Sequence, residues 1–439
     1  MNRLTSTAAL AAVLAALGAY IYFVDSRKPA EDAAATEKLF AVAPEQIAEL
    51  TIRAANGEET TLRKELSGWK VVSPVEADAD ATEPGNITNS LATLHLTRVV
   101  DEHPSSVADF GLDPAQGEIA FTVTGAKTPT RLQLGSKTPT GSDLYARKAG
   151  EARVFLIPSS VENTFNRTTF DLRDRSITKV DRVTVDKMHV SSGTQALQFV
   201  RRNETEWNIT QPTPVRGDFG AIDSLINMVA SGQVQKFVSN TASDAPEYGF
   251  AKPVATVIFS TGDTSRTLTI GREVDGTYYA RDSGRPLVFT VGGNLVKELQ
   301  KPVNDLRRKD IFDFRVFNVA RLSFALGSET LSLEKTKTTE GPDVWKGAGG
   351  KTIEAAKAEE TLGAFSALKA DAFVAAAPAS TRTPALTVTA TFDDGKTVEV
   401  VRFAKSGTDV YAVRQDDPGA ATLPAAVFDK AVAALAALR

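Results

Sequence analysis

The side chains best suited to acid–base or metal chemistry are few in this chain, and they are not grouped. Its three histidines, His95, His103 and His189, have no second histidine four residues away and no carboxylates at a metal-ligand spacing. We therefore expect surface or helix-end histidines. The absence of cysteine excludes disulfides, thiolate nucleophiles, a lipid-modified N-terminal cysteine and thiolate zinc sites, but it leaves the cellular compartment open.

Other motifs with a chemical meaning are incomplete. No Gly-x-Ser-x-Gly elbow of a serine hydrolase occurs. The run Gly347–Thr352 resembles a phosphate-binding loop, but the first glycine of that motif is replaced by Trp345, so we interpret the run as an ordinary loop. Asp78 and Asp80 lack the further oxygen ligands and the glycine of a calcium loop, and we expect them to cap a helix. We predict no catalytic, cofactor-binding or metal-binding residue.

Two recurrent charged patterns have a structural interpretation. Tyr145, Tyr279 and Tyr411 recur with Arg147, Arg281 and Arg414, and three such pairs are expected to serve packing and hydrogen bonding. The runs 171–175 and 305–309, both beginning Asp-Leu-Arg, lie where one unit leads into the next. We expect their charges to pair across the junction, each contributing under ~1 kcal/mol if exposed.

The positions of the tryptophans indicate a threefold repeat. The chain has three, Trp69, Trp207 and Trp345, and both intervals are 138 residues. Other marks recur in the same order after the first two: Phe110-Gly111 and Tyr248-Gly249, Leu134-Gly135 and Ile270-Gly271, and the Tyr-Ala-Arg and Asp-Leu-Arg patterns. The third copy lacks the Gly-aromatic mark and the closing Asp-Leu-Arg. A divergent last copy is typical of the cap of an array.

Each copy predicts the same set of elements. Alternating apolar and polar residues around Asn56-Gly57 predict a β-hairpin, which is followed by a strand that contains the tryptophan. Apolar residues at helical spacing after this strand predict a helix. Four short strands and a second helix complete the copy. The predicted fold class is α+β, with three tandem similar domains, each a mostly antiparallel sheet with two helices.

The N-terminal segment predicts a membrane anchor. Residues 7–24 carry no charge and would span roughly 27 Å as a helix, close to the hydrocarbon thickness of a bilayer. A cleaved signal peptide is the alternative, with small residues at Ala16 to Gly18, but the apolar run continues past them. Flanking charges on both sides leave the orientation open. The predicted organisation is a signal anchor or transmembrane helix at 1–26, a tether at 27–37, and domains at 38–178, 179–315 and, divergent and capping, 316–439.

These marks together resemble a bacterial repeat family of unknown function. They comprise Trp69 with Pro74, the runs 78–80, 110–114 and 171–174, and Leu134-Gly135 with Tyr145-Ala146-Arg147. The resemblance implies a single-pass protein of the cell envelope, with the bulk of the chain outside the cytoplasmic membrane. Family members are often encoded beside ABC transporters of the gliding-motility type, which implies a permease partner. The family has no established catalytic residues.

The functional hypothesis is therefore a non-catalytic, membrane-anchored extracytoplasmic accessory or scaffold protein of the bacterial inner membrane, working with an ABC-type transporter or envelope assembly system. The alternatives are a module that binds glycan, lipid or peptide and, least favoured, a hydrolase using scattered carboxylates. The formal net charge of -4 and the scattered basic residues argue against nucleic acid as a ligand.

Overall fold

The computed structural model describes residues 37–336 and 343–438. The predicted membrane segment 7–24 and residues 27–36 of the tether lie outside the described residues. Contacts divide the chain into two compact units with the boundary between Arg175 and Ser176. Across residues 37–336 and 343–438, no helix combines the length and apolar character needed to cross a bilayer.

The first unit contains one sheet domain, here called the first domain. Its nine strands are β1 Ile47–Arg53, β2 Glu59–Glu65, β3 Gly68–Ser73, β4 Ala77–Asp78, β5 Arg98–Asp101, β6 Gly117–Val123, β7 Thr130–Lys137, β8 Asp143–Lys148 and β9 Val154–Pro158. Its helices are α1 Glu83–Thr93, α2 Glu162–Phe165 and α3 Thr169–Leu172.

The second unit contains two sheet domains. In the second domain the elements are β10 Lys187–Ser192, β11 Gln195–Asn203, β12 Glu206–Gln211, β13 Val215–Arg216, α4 Phe219–Ala230, β14 Lys236–Ser239, β15 Ala255–Thr261, β16 Thr264–Val274, β17 Thr277–Asp282, β18 Val288–Gly292 and α5 Gly293–Leu299. In the third they are β19 Val319–Leu326, β20 Glu329–Thr336, β21 Val344–Lys346, β22 Thr352–Ile353, α6 Ala355–Ser366, β23 Ala372–Val374, β24 Leu386–Phe392, β25 Thr397–Ser406, β26 Asp409–Arg414, β27 Ala420–Pro424 and α7 Ala425–Ala434.

The three sheets have one topology. The strand order is β4-β3-β2-β1-β6-β7-β8-β9-β5 in the first sheet, and adding nine or eighteen to each number gives the second and third. Every pairing is antiparallel, and in each domain a helix links the fourth strand to the fifth, which joins the far edge. The predicted fold class of three tandem α+β domains is confirmed.

The tryptophans mark one position in this fold. Each lies on the third strand of its sheet, and each is paired in register with a basic residue of the second strand: Lys64, Arg201 and Lys335. The guanidinium of Arg201 lies 4.8 Å from the ring of Trp207, and the ammonium of Lys335 lies 5.6 Å from that of Trp345. The indoles of Trp207 and Trp345 are buried, and Trp69 packs at the margin of the first core.

Two of the glycine marks meet in space. Gly111 and Gly249 end short 3-10 helices with left-handed backbone, at φ of 69° and 74°. Gly135 and Gly271 lie at irregularities of β7 and β16, where an added Cβ would overlap the carbonyl oxygen of Phe110 or Tyr248. The marks recur because backbone approaches backbone there too closely for any side chain.

The third arginine of the Tyr-Arg pattern needs a correction. In the sheets, Arg414 pairs with Val401 as Lys148 pairs with Leu132 and Asp282 with Leu268. The residue equivalent to Arg147 and Arg281 is Val413, not Arg414. Because successive side chains of a strand point to opposite faces, this shift of one residue moves Arg414 from the open face of the sheet to its buried side.

Candidate functional site

The structure keeps the three histidines apart. His95 and His103 are exposed in the first domain, and His189 lies on β10 with its Nε2 3.0 Å from Ser191 Oγ. Among residues 37–336 and 343–438, no three His, Asp or Glu side chains are placed to hold a metal ion. The run Gly347–Thr352 forms the turn between β21 and β22, closed by a hydrogen bond from Gly347 N to Lys351 O of 2.7 Å.

The repeated tyrosines pack against the aromatic marks. Tyr145 lies 5.0 Å from Phe110 between ring centroids, and Tyr279 lies 5.0 Å from Tyr248. The guanidinium of Arg281 stacks 4.7 Å from the ring of Phe250. These are packing contacts, as the sequence predicts for the first two copies.

Asp80 binds the backbone at the start of helix α1, whose N-cap residue is Thr82. Its Oδ1 accepts hydrogen bonds from Thr82 N at 2.8 Å and Glu83 N at 3.1 Å. Partial burial works against the charged form, but these bonds and that from the Thr82 hydroxyl outweigh it, and the pKa of Asp80 is held below its ordinary value. Asp78 forms an ion pair with Lys70 instead.

The largest concentration of buried charge lies where the second domain meets the third. Arg307, from the closing Asp-Leu-Arg of the second domain, places its Nη2 3.0 Å from Asp417 Oδ1 in the third domain. Its guanidinium lies 3.8 Å from the ring centroid of Phe373 on β23. The prediction that the closing charges pair across a junction is confirmed here, although the pair is buried, not exposed.

Arg414 is the centre of this network. Its Nη1 donates to Ile311 O and to Glu399 Oε2, both at 2.8 Å, and its Nη2 donates to Asp313 at 3.1 Å. Nε and Nη2 also bind Asp416 at 2.9 Å. Burial disfavours the cation, but the bonds and charges of Asp416, Asp313 and Glu399 outweigh burial and raise the pKa of Arg414 above its ordinary value.

Asp313 joins three arginines from two domains. Its Oδ1 lies 2.7 Å from Arg216 Nη1 and 2.8 Å from Arg308 Nη1, and its Oδ2 pairs with Arg414. Burial, with the nearby charge of Arg414, lowers the pKa of Arg216, which remains a cation at neutral pH because the ordinary pKa of an arginine lies far above 7. With Asp310 and Arg315, which pair at 2.9 Å, the network holds five guanidinium groups and five carboxylates.

A cleft of about 430 Å³ opens beside the network. Its walls include the amino end of α4 at Phe219 and Gly220, the strand residue Asn208, and the charged groups of Arg202 and Asp416. Two wall carboxylates are already engaged. Asp218 accepts a hydrogen bond from Ala221 N at 2.8 Å. Partial burial raises the pKa of Asp416, but the hydrogen bond and charge of Arg414 outweigh burial and lower that pKa below its ordinary value. A carboxylate held ionised by arginine is a poor general base at neutral pH.

The arrangement therefore supports ion pairing between domains more than bond-making chemistry. Sequence reasoning identified Arg307 and Arg308 as junction residues but missed their partners Asp417 and Asp313. It also missed Glu399, which pairs with Arg414. The signal available was the acidic pair Asp416-Asp417, which follows the third Tyr-Arg pattern at the point where the other copies carry no acidic pair.

Comparison with known proteins gives a family without a function. No curated protein matches the chain. A crystal structure of the DNA polymerase sliding clamp from Pseudomonas aeruginosa with ligand matches at 8% identity and a TM-score of 0.14, over 87% of this chain and 92% of that one, which is too low a score to support an argument. The family model described as "Domain of unknown function (DUF4340)" matches residues 69–214 and 207–386, and each match begins at a repeat tryptophan. The chain belongs to the DUF4340 family.

Proposed function

We propose that this chain is a non-catalytic scaffold, anchored in the bacterial inner membrane by residues 7–24, whose sheet domains work outside the cytoplasm with an ABC-type transporter or envelope assembly system. The observation that carries the proposal is the junction network of the second and third domains. Charged groups that a hydrolase would keep free for substrate are paired there with one another. Such a network fixes two domains at a defined angle, as a scaffold requires.

The energetics of the network agree with a positioning role. Buried ion pairs add little net stability compared with apolar packing, but each holds its partners in a single geometry. Arg414, Asp313 and Glu399 bring together β25, β26 and the segment that connects the two domains. In this proposal the paired groups of the network position the two domains and take no part in catalysis.

The partner is tested by site-specific photocrosslinking in intact membranes. Phe317 and Val183, 80% and 71% exposed, occupy equivalent turns before β19 and β10 and suit replacement by a photoreactive amino acid. Asp263, an exposed polar turn residue, is the matched control position. We expect a membrane permease to be recovered from the first two positions and not from the control. Recovery of bulk lipid alone from every position refutes the transporter proposal.

The location is tested separately by protease treatment of spheroplasts. External protease is expected to degrade the sheet domains, leaving only the segment before the tether protected. Full protection of the domains in intact spheroplasts, with digestion after lysis, would place them in the cytoplasm and refute the extracytoplasmic part of the proposal.

The cleft beside the network favours one alternative, a binding module for a polar ligand. Its volume of about 430 Å³ is within the usual range of small-molecule sites. Its charged walls suit a peptide or a glycan better than an acyl chain. Saturable binding of either to the purified chain, abolished by Arg202→Glu and retained by the control Arg63→Glu, an exposed arginine of the first unit, would support this alternative over the scaffold.

A further inference from the structure

Each domain is completed by a short segment from outside its nine-stranded sheet, which we call the strap. The straps are residues 37–40, 176–178 and 309–312. One residue of each strap makes an isolated antiparallel bridge to the segment that follows the first long helix of its domain: Lys38 with His95, Ser176 with Gln233, and Asp310 with Lys369.

Backbone hydrogen bonds repeat along with the bridges. In the first domain Leu39 N donates to Leu94 O at 2.8 Å, and Leu96 N donates to Glu37 O at 2.9 Å. In the third, Ile311 N donates to Leu368 O at 2.9 Å and Ala370 N to Lys309 O at 2.7 Å. In the second, Ile177 N donates to Gly232 O at 3.0 Å. The site that receives each strap, here called the strap groove, therefore recurs in all three domains.

The same strand position secures each strap through different chemistry. This is the last residue of β8, β17 or β26. The ammonium of Lys148 lies 5.3 Å from the ring centroid of Phe40, Asp282 Oδ1 accepts from Thr178 Oγ1 at 3.1 Å, and Arg414 donates to Ile311 O at 2.8 Å. At this strand position the first strap is held through a ring contact instead of a hydrogen bond, and its Glu37 lies 3.9 Å from Arg153.

Apolar burial supplies most of the attachment of the first strap. Leu39 and Phe40 are buried in the first core, and Phe40 packs edge-on against Phe121 with ring centroids 5.1 Å apart. Removing two such apolar side chains from water favours docking of the strap. These contacts are the same whether the strap comes from the same chain or from another copy.

We propose that the first strap groove is a self-association site, filled in part by the strap of a second copy of this chain. Two features single out the first strap. The third strap connects the second and third domains within one compact unit, and the second strap directly follows the first unit in the chain. The first strap instead follows a segment that the sequence predicts to be a tether. The first strap is also joined to β1 through the short connection 41–46, which includes the 3-10 turn Pro44–Gln46.

Exchange across such a short hinge has a low cost in free energy. The exchanged strap forms again every bond and contact that it forms within its own chain, so only the entropy of association opposes the dimer. Chains held in one membrane would meet at high local concentration, which offsets that entropy. The inference rests on the membrane anchor of the proposed function but not on a transporter, because the groove and its ligand both belong to this chain.

Engineered cysteines provide the test, because the chain has none of its own. Lys38 and His95 are both exposed and are direct partners across an antiparallel bridge, where Cα atoms lie roughly 4.5–5.5 Å apart, within disulfide reach. Full-length chains with Lys38→Cys and with His95→Cys, carrying different tags, are co-expressed and oxidised in intact membranes. We expect a disulfide-linked dimer that carries both tags.

Two matched controls make the result decisive. The double variant Lys38→Cys/His95→Cys checks that the geometry closes, by loss of free thiol. The pair Ser176→Cys and Gln233→Cys on separate chains tests chance collision at a strap that cannot exchange freely. A dimer from the first pair alone supports the proposal. If the double variant closes while the separate 38 and 95 variants form no dimer, or if both pairs form dimers equally, exchange does not occur and the proposal fails.

Discussion

Replacing Arg414 by methionine is the sharpest perturbation of the junction. The side chain is only 7% exposed, and methionine fills a similar volume without the five hydrogen bonds that the guanidinium donates. Glu399, also buried, then loses its arginine. It keeps the backbone donors of Asp313 and Phe314, at 3.0 and 3.2 Å.

The expected loss follows from that remaining carboxylate. Removing one partner of a buried ion pair typically costs 3–5 kcal/mol, because the other charge remains desolvated. Since two backbone N–H groups still bind Glu399, we expect the lower end, about 3 kcal/mol, for the third domain. Adding Glu399→Gln removes the stranded charge, so the double variant should lose less than the sum of the two single losses, by about 1–2 kcal/mol.

The distribution of tryptophan provides the assay. Each domain has one, so a chain in which Trp69 and Trp207 are replaced by phenylalanine reports unfolding of the third domain through buried Trp345. Urea unfolding followed by fluorescence gives the free energy of that transition. Arg402→Met, an exposed arginine on β25, is the matched control and should change it by less than about 0.5 kcal/mol.

The reasoning would be refuted by a small effect. If Arg414→Met lowers the free energy of unfolding by under about 1 kcal/mol, the network behaves as a solvated surface cluster. An equal loss in a chain that retains only Trp69 would also contradict it, because the hydrogen-bond partners of Arg414 named above all belong to the second unit.

Further variants test the local arguments, each followed through the tryptophan of its own domain. Asp80→Ala should destabilise the first domain by about 1 kcal/mol. Because the pKa of Asp80 is lowered on folding, this contribution is complete above its unfolded value near 3.8 and is lost as the pH falls through the lower folded value. Gly271→Ala should cost about 3 kcal/mol, since its Cβ would overlap Tyr248 O. Gly363→Ala, mid-helix with open space around the added carbon, should stabilise by about 0.5–1 kcal/mol. Arg307→Ala should separate the urea transitions of the second and third domains, which a denaturation curve read through both tryptophans detects; a single shared transition would contradict it.

Local patterns in the sequence were sufficient for the domain architecture. Equal spacing of Trp69, Trp207 and Trp345 predicted three copies, and alternation within each copy predicted an antiparallel sheet. Both are properties of neighbouring residues, because the period of a strand and the chemistry of a turn act over a few positions. The glycine marks were visible too, although their cause, the contact of Gly135 with Phe110 O, joins residues of different elements.

The sequence misplaced Arg414 for a physical reason. In the third copy the arginine stands three residues after the tyrosine instead of two, which places it on the opposite face of the strand. Only the pairing of β26 with β25 shows that Val413 takes the position of Arg147 and Arg281. The sequence pattern alone therefore does not distinguish an arginine on the open face of the sheet from one at the centre of a buried network.

The sequence by itself determined how many domains there are, which class of fold they adopt and which catalytic motifs are incomplete. Only the tertiary structure decided which charges meet. Arg216 and Asp313 are 97 residues apart in the chain, and Arg307 and Asp417 are 110 apart. No periodicity connects such positions, because their contact depends on how two folded domains pack. Burial at that contact then converts charges that would otherwise be solvated into a network whose disruption is expected to lower the free energy of unfolding.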